Sequence, residues 1–574
     1  MERRVLLAIV LSFLVIYLYQ ALLVKPVPKP GPASQAQSQT QSSPASSGAT
    51  TPPPAPVEAS TPQAAPTPAS SATPVLADTV ERDVRVENAE VIATFTNRGG
   101  RLKSWRLKHF ADEKGEPVEL VSHEFGDAQP MPFSLRLPDS AATSTLNSAL
   151  YAISGQPLSE GPISSPADLR FEYKDSAGLS VSKRFRFEPT SYIVSFGAVV
   201  NVGDQSIVPA IEWGPGLGDV DSATGRYAVK PRGLFTPAAS VKDVKRLAAA
   251  DVAKQANYQG DFLFAGVDDH YFMSVALQSG PSTISFKDLT IPPPAGSPPP
   301  PRELMSYTLE PTKLEPPIRF YVGPKAFDTL YAIDPNLTNA VDFGFFRIIV
   351  APLLRTLNSI NGVIGNYGWS IVLLTVVINL ILFPLRHKQV VSMRKMQAIQ
   401  PEVKLIQDRY AKLKATDPAK QKMNQELMQL YQERGVNPAA GCIPMLLPFP
   451  VLLAFYALLT TAIELRGAPF AGWIHDLSRP DPYYITPIFM VVSQVVQQWM
   501  MPAAGVDPTQ QKMMLVMPLV LGFIFLSFPA GVVLYWIVNT VWAIGQQLAT
   551  NKLIGPPNVK NVRPAAERQL KVKT

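Results

Sequence analysis

Three pairs of polar side chains stand one helical turn apart inside apolar stretches near the C-terminal end of this chain: Thr375 and Asn379, Gln494 and Gln498, and Tyr535 and Asn539. An i, i+4 spacing puts both members of a pair on one face of a helix. Their chemistry is hydrogen bonding. In hydrocarbon such groups need partners or water, so three helices with polar stripes are expected to turn them toward one another around a wet cavity. The blander role is to bridge helices through hydrogen bonds, worth ~0.6 kcal/mol each on average in membranes. If the span carrying Asn379 runs from residue 369 to residue 385, that amide lies ~9 Å from the cytoplasmic end. Gln494 and Gln498 also lie nearer that end, while Tyr535 and Asn539 enter from the other side and reach mid-depth. The polar surface is therefore expected to open toward the cytoplasm and close outward.

No catalytic constellation stands beside these pairs. The five histidines are scattered, and no His-Glu-x-x-His, Gly-x-x-x-x-Gly-Lys-Ser/Thr or Gly-x-Ser-x-Gly motif occurs. His475-Asp476 reads as a loop hydrogen bond rather than a catalytic pair. These absences argue against an ATPase or a zinc protease. The single cysteine, Cys442, excludes an intrachain disulfide and a Cys-x-x-Cys zinc site, and it reads as a small apolar packing residue.

The elements that must hold the polar pairs follow from composition and period. At 574 residues and 46% hydrophobic content, the chain is expected to join membrane spans to a large water-soluble part. Residues 1–25 carry Arg3 and Arg4 and then an apolar run that, at ~1.5 Å per residue, crosses a ~30 Å hydrocarbon core. Lys25-Pro26-Val27-Pro28 offers no small-x-small cleavage site, so this segment reads as a retained anchor with its N-terminus inside. Residues 26–79, rich in Pro, Ser and Ala, cannot bury enough surface to order themselves and read as a disordered linker. From 80 to 325 strand-like alternation recurs, as in Val91-Ile92-Ala93-Thr94-Phe95, Leu169-Arg170-Phe171-Glu172-Tyr173 and Ser182-Lys183-Arg184-Phe185-Arg186-Phe187. Turns such as Asn97-Arg98-Gly99-Gly100 separate the runs, which argues for a large β-sandwich. A Pro-rich loop at 291–301 interrupts it.

Residues 340–361 read as an amphipathic helix lying in the membrane interface, with Phe345, Phe346, Ile349, Leu353, Leu357 and Ile360 on its apolar face. Pro352, Arg347 and Arg355 argue against a further span there. Five spans follow within 369–550, at 369–385, 443–463, 483–501, 513–528 and 531–549. The shortest reach only ~25 Å, so the bilayer around them should thin. Residues 386–434 carry eleven Lys or Arg against five acids and belong in the cytoplasm. The loop 464–481 balances Arg466 and Arg479 with acids, as a translocated loop should. Six spans then place both termini inside. Within 386–435, Val403, Leu405, Ile406, Tyr410 and Leu413 before Asp417-Pro418, and Met423, Leu427, Leu430 and Tyr431 after it, predict a helical hairpin. Its basic surface, like that of the tail 551–574, suits topology and lipid contact, with RNA as the other reading.

Several segments have a wider resemblance. Asn437-Pro438-Ala439-Ala440-Gly441-Cys442-Ile443-Pro444, Glu464-Leu465-Arg466-Gly467-Ala468-Pro469-Phe470, Trp473-Ile474-His475-Asp476-Leu477, Asp481-Pro482-Tyr483-Tyr484 and Phe528-Pro529-Ala530-Gly531-Val532-Val533-Leu534-Tyr535-Trp536 closely resemble the YidC/Oxa/Alb family of membrane protein insertases. With the anchor and the β-domain, the resemblance covers nearly the whole chain and points to the type with a large periplasmic domain. It implies a mixed membrane protein: six transmembrane α-helices with a cytoplasmic helical hairpin, plus a large periplasmic β-sandwich domain similar to sugar-binding folds. It also implies a protein without catalytic residues or cofactor that integrates newly made proteins into the inner membrane through a hydrophilic groove, alone or with the Sec translocon, and assists their folding. The partners implied are nascent membrane proteins, the Sec translocon, the lipid bilayer and, through the basic hairpin and tail, the ribosome.

The groove would comprise Thr375, Asn379, Gln494, Gln498, Tyr535, Trp536 and Asn539, and Phe449 and Leu452 would border the path of the inserting helix. One position departs from the pattern, since the family usually carries a basic residue where this chain has Asn379. A neutral amide can hydrate a groove but cannot attract an acidic tail by charge. Pro448 also replaces a polar family residue. Two other classes stay open at this level. A transporter or channel would show a coordinating cluster or charged relay, and none is evident. A non-inserting chaperone scaffold would be indifferent to mutations that dry the groove.

Overall fold

The computed structural model describes residues 73–112, 114–123, 129–154, 163–214, 216–217, 229–291, 302–410, 419–435, 448–500 and 508–553. The expected anchor at 1–25, the loop at 292–301, Cys442 and the tail from 554 onward lie outside these residues. The chain divides into two compact units, a small one containing residues 405–430 and a larger one containing the rest of the described chain.

In the larger unit the alternating segments form strands whose every second residue faces inward. Ala167–Asp175 buries Leu169, Phe171 and Tyr173, and Leu179–Phe187 buries Val181, Lys183, Phe185 and Phe187. These strands pair antiparallel in a fourteen-stranded sheet, where Phe272–Ile291 joins Asn257–Asp268, Arg302–Pro311 and Ile318–Pro324. A second sheet of five strands is built on Arg101–Ala111, Val91–Thr96 and Asp83–Glu87. The turn between Val91–Thr96 and Arg101–Ala111 needs Gly99 and Gly100, at φ 70° and 53°, a region that L side chains avoid.

The two sheets stack through aromatic rings. Phe95 of the smaller sheet meets Phe171, Phe185 and Phe187 of the larger, and Phe133 meets Phe185, Phe196, Trp213 and Phe320. Trp105 crosses between the sheets, its indole N–H donating to the Val322 carbonyl at 3.0 Å. Lys183 is fully buried among them, and its Nζ donates to the carbonyls of Gly99 (2.6 Å), Gly100 (3.3 Å) and Phe133 (2.9 Å). An ammonium has three donors, so each finds an acceptor and the lysine pins the glycine turn to the larger sheet.

The expected β-sandwich is therefore present, with one correction at its start. The first strand, Pro74–Leu76, pairs with Asp175 and Lys174 and falls inside the stretch read as linker. Val75 and Leu76 are exposed, so backbone pairing rather than burial holds this strand, and no hydrophobic pattern announces it.

Apart from the short helices Ser140–Ser148 and Ala249–Val252 set among the strands, the described helices follow the last strand. A short helix α1 (Phe327–Ile333) leads to α2 (Arg347–Ile364), which begins after a 3₁₀ turn at Gly344–Phe346 and ends on Gly365 at φ 71°. Helix α2 buries Val350, Leu354 and Leu357 against α3 (Tyr367–Ala398) and α6 (Pro448–Thr461), and exposes Ile348 and Val363. One-sided burial of this kind is the pattern of an amphipathic helix lying on a surface. Arg355 lies over the Phe327 and Tyr331 rings.

Helix α3 continues past the boundary expected at residue 385. Pro384 lies inside the helix, and the Lys, Arg, Gln and Met that follow it are good helix formers. Then come α4 (Gln400–Arg409), α5 (Ala419–Glu433), α7 (Ile485–Met500), α8 (Pro508–Phe525) and α9 (Ala530–Leu553). Tyr367–His387 and Ala530–Thr550 are long and apolar enough to cross a membrane, and Pro450–Thr461 and Val516–Phe525 are shorter apolar helices.

In the small unit, Glu426 accepts from Tyr410 Oη at 2.8 Å and pairs with Arg409 at 3.3 Å, joining the two helical segments expected of the hairpin. In the larger unit Arg434 pairs with Glu402 at 2.6 Å.

The β-domain is fastened to the helices by polar contacts. His270 Nε2 lies 2.8 Å from the Thr460 carbonyl, and Val229 N–H donates to His270 Nδ1 at 3.3 Å. The ring is thus the neutral Nε2–H tautomer, and burial pushes its pKa down to about 4. The Phe327 N–H donates to Glu464 Oε1 at 2.9 Å, and desolvation pushes that carboxyl up to about 7. Beside them Asp268 pairs with Lys325 at 2.9 Å and Arg232 at 3.0 Å. Burial alone would raise the Asp268 carboxyl, but the two cations hold it below the ordinary carboxylate range. Arg466 lies over the rings of Tyr271 and Phe272.

Candidate polar groove

The candidate residues lie on helices sorted into a polar inward face and an apolar outward one. On α3, Thr375 and Asn379 are 0% and 2% exposed, while Leu373, Val377, Leu380 and Ile381 are open on the outside. On α9 Tyr535 is buried, with Trp536 and Asn539 half-buried, and on α7 Gln494 is buried and Gln498 half-buried. Helix α9 packs against both α3 and α7, so it stands between the other two polar stripes.

Thr375 and Asn379 direct their donors to their own helix. Thr375 Oγ1 donates to the Ile371 carbonyl at 2.6 Å, and Asn379 Nδ2 donates to the Thr375 carbonyl at 2.8 Å. Such bonds to the preceding turn satisfy a side chain without crossing to another helix. Among the described residues, none of the seven expected groove residues hydrogen-bonds to another of them on a different helix. Asn379 Oδ1 is left buried with no partner. The Tyr535 ring stacks on Phe455 of α6 at 4.3 Å between centroids, and Trp536 meets Phe525 at 5.3 Å. Leu452 is half-buried against the core, and the side chain of Phe449 lies outside the described residues.

Sequence reasoning missed three residues of the same seam. Arg386 Nη2 donates to Asn539 Oδ1 at 2.9 Å, and Gln546 Nε2 donates to the Phe383 carbonyl at 3.4 Å. Trp542 Nε1 is buried without a partner. The signal was available in the spacing. Arg386 stands seven residues after Asn379, and Tyr535, Asn539, Trp542 and Gln546 recur at steps of four, three and four, which keeps each set on one helical face. Arg386 was counted only as a topology charge. His475 and Asp476 do not pair: Asp476 accepts from the Ser478 amide at 2.8 Å, and His475 is exposed.

A β-sandwich joined to apolar helices that turn polar side chains inward is the architecture of a multi-span membrane protein with a large soluble domain. Comparison with known proteins gives the family. The model for the 60Kd inner membrane protein matches residues 359–556, and that for the YidC periplasmic domain matches residues 83–356. The chain is 33% identical to the membrane protein insertase YidC of Geobacter metallireducens over 98% of this chain and 100% of that protein. Against the YidC of Syntrophus aciditrophicus it is 32% identical, over 96% and 100%. A crystal structure of an active YidC insertase with its first transmembrane domain resolved covers 84% of this chain and 95% of its own, at 17% identity and TM-score 0.36. The chain belongs to the YidC membrane protein insertase family. It is an inner-membrane protein with a mostly β periplasmic domain.

Proposed function

We propose that this insertase works through the polar seam of α3, α7 and α9, which keeps a hydrated groove open toward the cytoplasm. Carrying a charge to the bilayer centre costs ~3 kcal/mol on insertion scales, so a path lined by amides, hydroxyls and water lowers the barrier for a polar segment. The segment's apolar helix then passes into lipid beside Phe449 and Leu452. One observation carries this reading: Thr375, Asn379, Gln494 and Tyr535 are buried on inward faces while the apolar residues of α3 face out. In the same reading six spans cross the membrane, both termini are cytoplasmic, and the hairpin and basic tail receive the ribosome. In this reading the insertase acts alone or with the Sec translocon.

The test is insertion by the reconstituted chain of a small single-span protein with a polar exported tail, read as tail protected from external protease. Asn379→Leu dries the seam without adding bulk to the outer face and should lower protection. Unchanged insertion of every polar-tailed substrate would favour the scaffold reading instead.

A further inference from the structure

The start of α2 brings fixed positive charge and bare apolar surface to one place. Arg246 Nη2 donates to the carbonyls of Asn339 at 2.9 Å and Ala340 at 3.2 Å. Arg347, the first residue of α2, donates to the Val341 carbonyl at 3.3 Å and to Thr338 Oγ1 at 3.1 Å. Both guanidiniums are thus anchored on residues 338–341 by neutral oxygens, which fix their positions and leave their charge in place. Asp342 is the acid beside them, 3.5 Å from Arg246 Nε and 3.5 Å from Arg232 Nη1. Three arginines therefore share one carboxylate, since the other partner of Arg232, Asp268, is also paired with Lys325 at 2.9 Å. Arg246 Nε itself is buried without a hydrogen bond. Burial, and then the charge of Arg246, hold Arg347 below the ordinary arginine range. Burial does the same to Arg246, with Asp342 opposing it and Arg232 adding to it.

Beside this cluster the chain bares its apolar side. Phe345 is 79% exposed and Ile348 87%. On a helix of 3.6 residues per turn, Arg347 lies about 100° from Ile348 and about 20° from Leu354. Leu354 is buried, so Arg347 stands at the edge where the outward face meets the packed one. An oxyanion resting on the two guanidiniums then has large apolar side chains next to it. Free phosphate, or the carboxylate of an acidic peptide, uses only the charge. A phospholipid joins its phosphate to acyl chains and uses both. The excess of cations over carboxylates favours a lipid of net negative charge over a zwitterion, whose own cation is repelled.

Taking α2 as a helix lying on the bilayer, we propose that Arg246 and Arg347 form a headgroup site for an anionic phospholipid of the periplasmic leaflet. The phosphate lies across the two guanidiniums at the rim of Asp342, and the acyl chains run against Phe345 and Ile348. The bound lipid offsets the unshared charge of the cluster. Because Arg246 belongs to the strand Lys245–Leu247 and Arg347 to α2, one headgroup ties the β-domain as well as the helix to the membrane surface.

The experiment uses the full chain in phosphatidylcholine liposomes containing a minor fraction of photoreactive phosphatidylglycerol or photoreactive phosphatidylcholine. The reactive group stands beside the phosphate or at the end of an acyl chain, and peptide mass spectrometry locates the cross-links. Headgroup-labelled phosphatidylglycerol should mark residues 241–247 and 338–348, and headgroup-labelled phosphatidylcholine should mark them only weakly. Arg246→Gln and Arg347→Gln should each lower the first signal by about fivefold, the scale of one cation beside an anionic lipid. Arg355→Gln, on the same helix but over the Phe327 and Tyr331 rings, should leave it unchanged. Asp342→Asn keeps an acceptor for the Gly344 N–H and removes the competing charge. It should raise the labelling, a gain that a misfolded variant cannot show. Equal labelling by the two headgroups, an equal loss in Arg355→Gln, or no gain in Asp342→Asn would overturn the proposal. So would displacement of the label by inorganic phosphate but not by chloride at equal ionic strength, which assigns the cluster to a free anion. If the acyl-chain label also misses Phe345 and Ile348, α2 lies off the bilayer and the proposal falls with that reading.

Discussion

The junction between the periplasmic domain and the helices should loosen as pH rises, and Glu464 should be the cause. Its carboxyl accepts from the Phe327 N–H at 2.9 Å, and desolvation raises its pKa from 4.5 to about 7, with nearby Asp328 adding to the rise. Below pH 4.5 both the closed and the opened junction hold the proton, and the stabilising contribution is fully present. Between 4.5 and about 7 the opened form loses its proton while the closed form keeps it, so stability falls with rising pH. Above about 7 the contribution is gone. At ~1.36 kcal/mol for each unit of pH, the loss is at most about 3 kcal/mol. His270 acts in the opposite sense, since its folded pKa is depressed from 6.5 to about 4 and its contribution is lost as pH falls through that window. Glu464→Gln keeps an oxygen to accept from Phe327 but cannot ionise. The assay is amide hydrogen exchange at Phe327 and through α1, corrected for intrinsic rate, between pH 5 and 8. The parent's opening free energy should fall relative to the variant's by up to that amount. Parallel pH profiles for the two proteins would refute the reasoning.

Three further outcomes follow from named contacts. Lys183→Met should strand the carbonyls of Gly99, Gly100 and Phe133 in the sandwich core. Thermal unfolding of the periplasmic domain should register a loss of about 3 kcal/mol, and an unchanged midpoint would show the lysine to be dispensable. Asp268→Asn leaves Lys325 and Arg232 without their shared carboxylate, and with Lys325 only 5% exposed the cost should be about 3 to 5 kcal/mol in denaturant unfolding. Asn379→Leu should leave the unfolding midpoint within about 1 kcal/mol of the parent, because the side chain bonds only to its own helix. A large destabilisation would make that amide a packing residue rather than part of a groove.

The sequence revealed the sandwich because its strands bury every second residue, so that Leu169, Phe171, Phe185 and Phe187 appear as a period of two. Pro74–Leu76 escaped notice because backbone pairing leaves no such period. The polar pairs were legible for the same reason as the strands: spacing on α3, α7 and α9 assigns a face. What spacing cannot supply is side-chain direction along the helix axis. Arg386 read as one of many basic residues flanking a span, and only its turn toward Asn539 separates it from its neighbours. Contacts between distant segments were equally hidden. Glu464 and Phe327 are far apart in sequence, and Lys183 looks like any residue of an alternating strand until its three carbonyl partners are seen.

The central claim is that a buried polar seam, and not a passive scaffold, carries polar segments across. The most direct measurement reconstitutes the full chain in liposomes, supplies a newly made single-span protein with a polar exported tail, and compares protease protection for the parent and Asn379→Leu. The account predicts protection above empty liposomes for the parent and a clear reduction for the variant at unchanged stability. Equal protection by both, or none by a folded and correctly oriented parent, would contradict it.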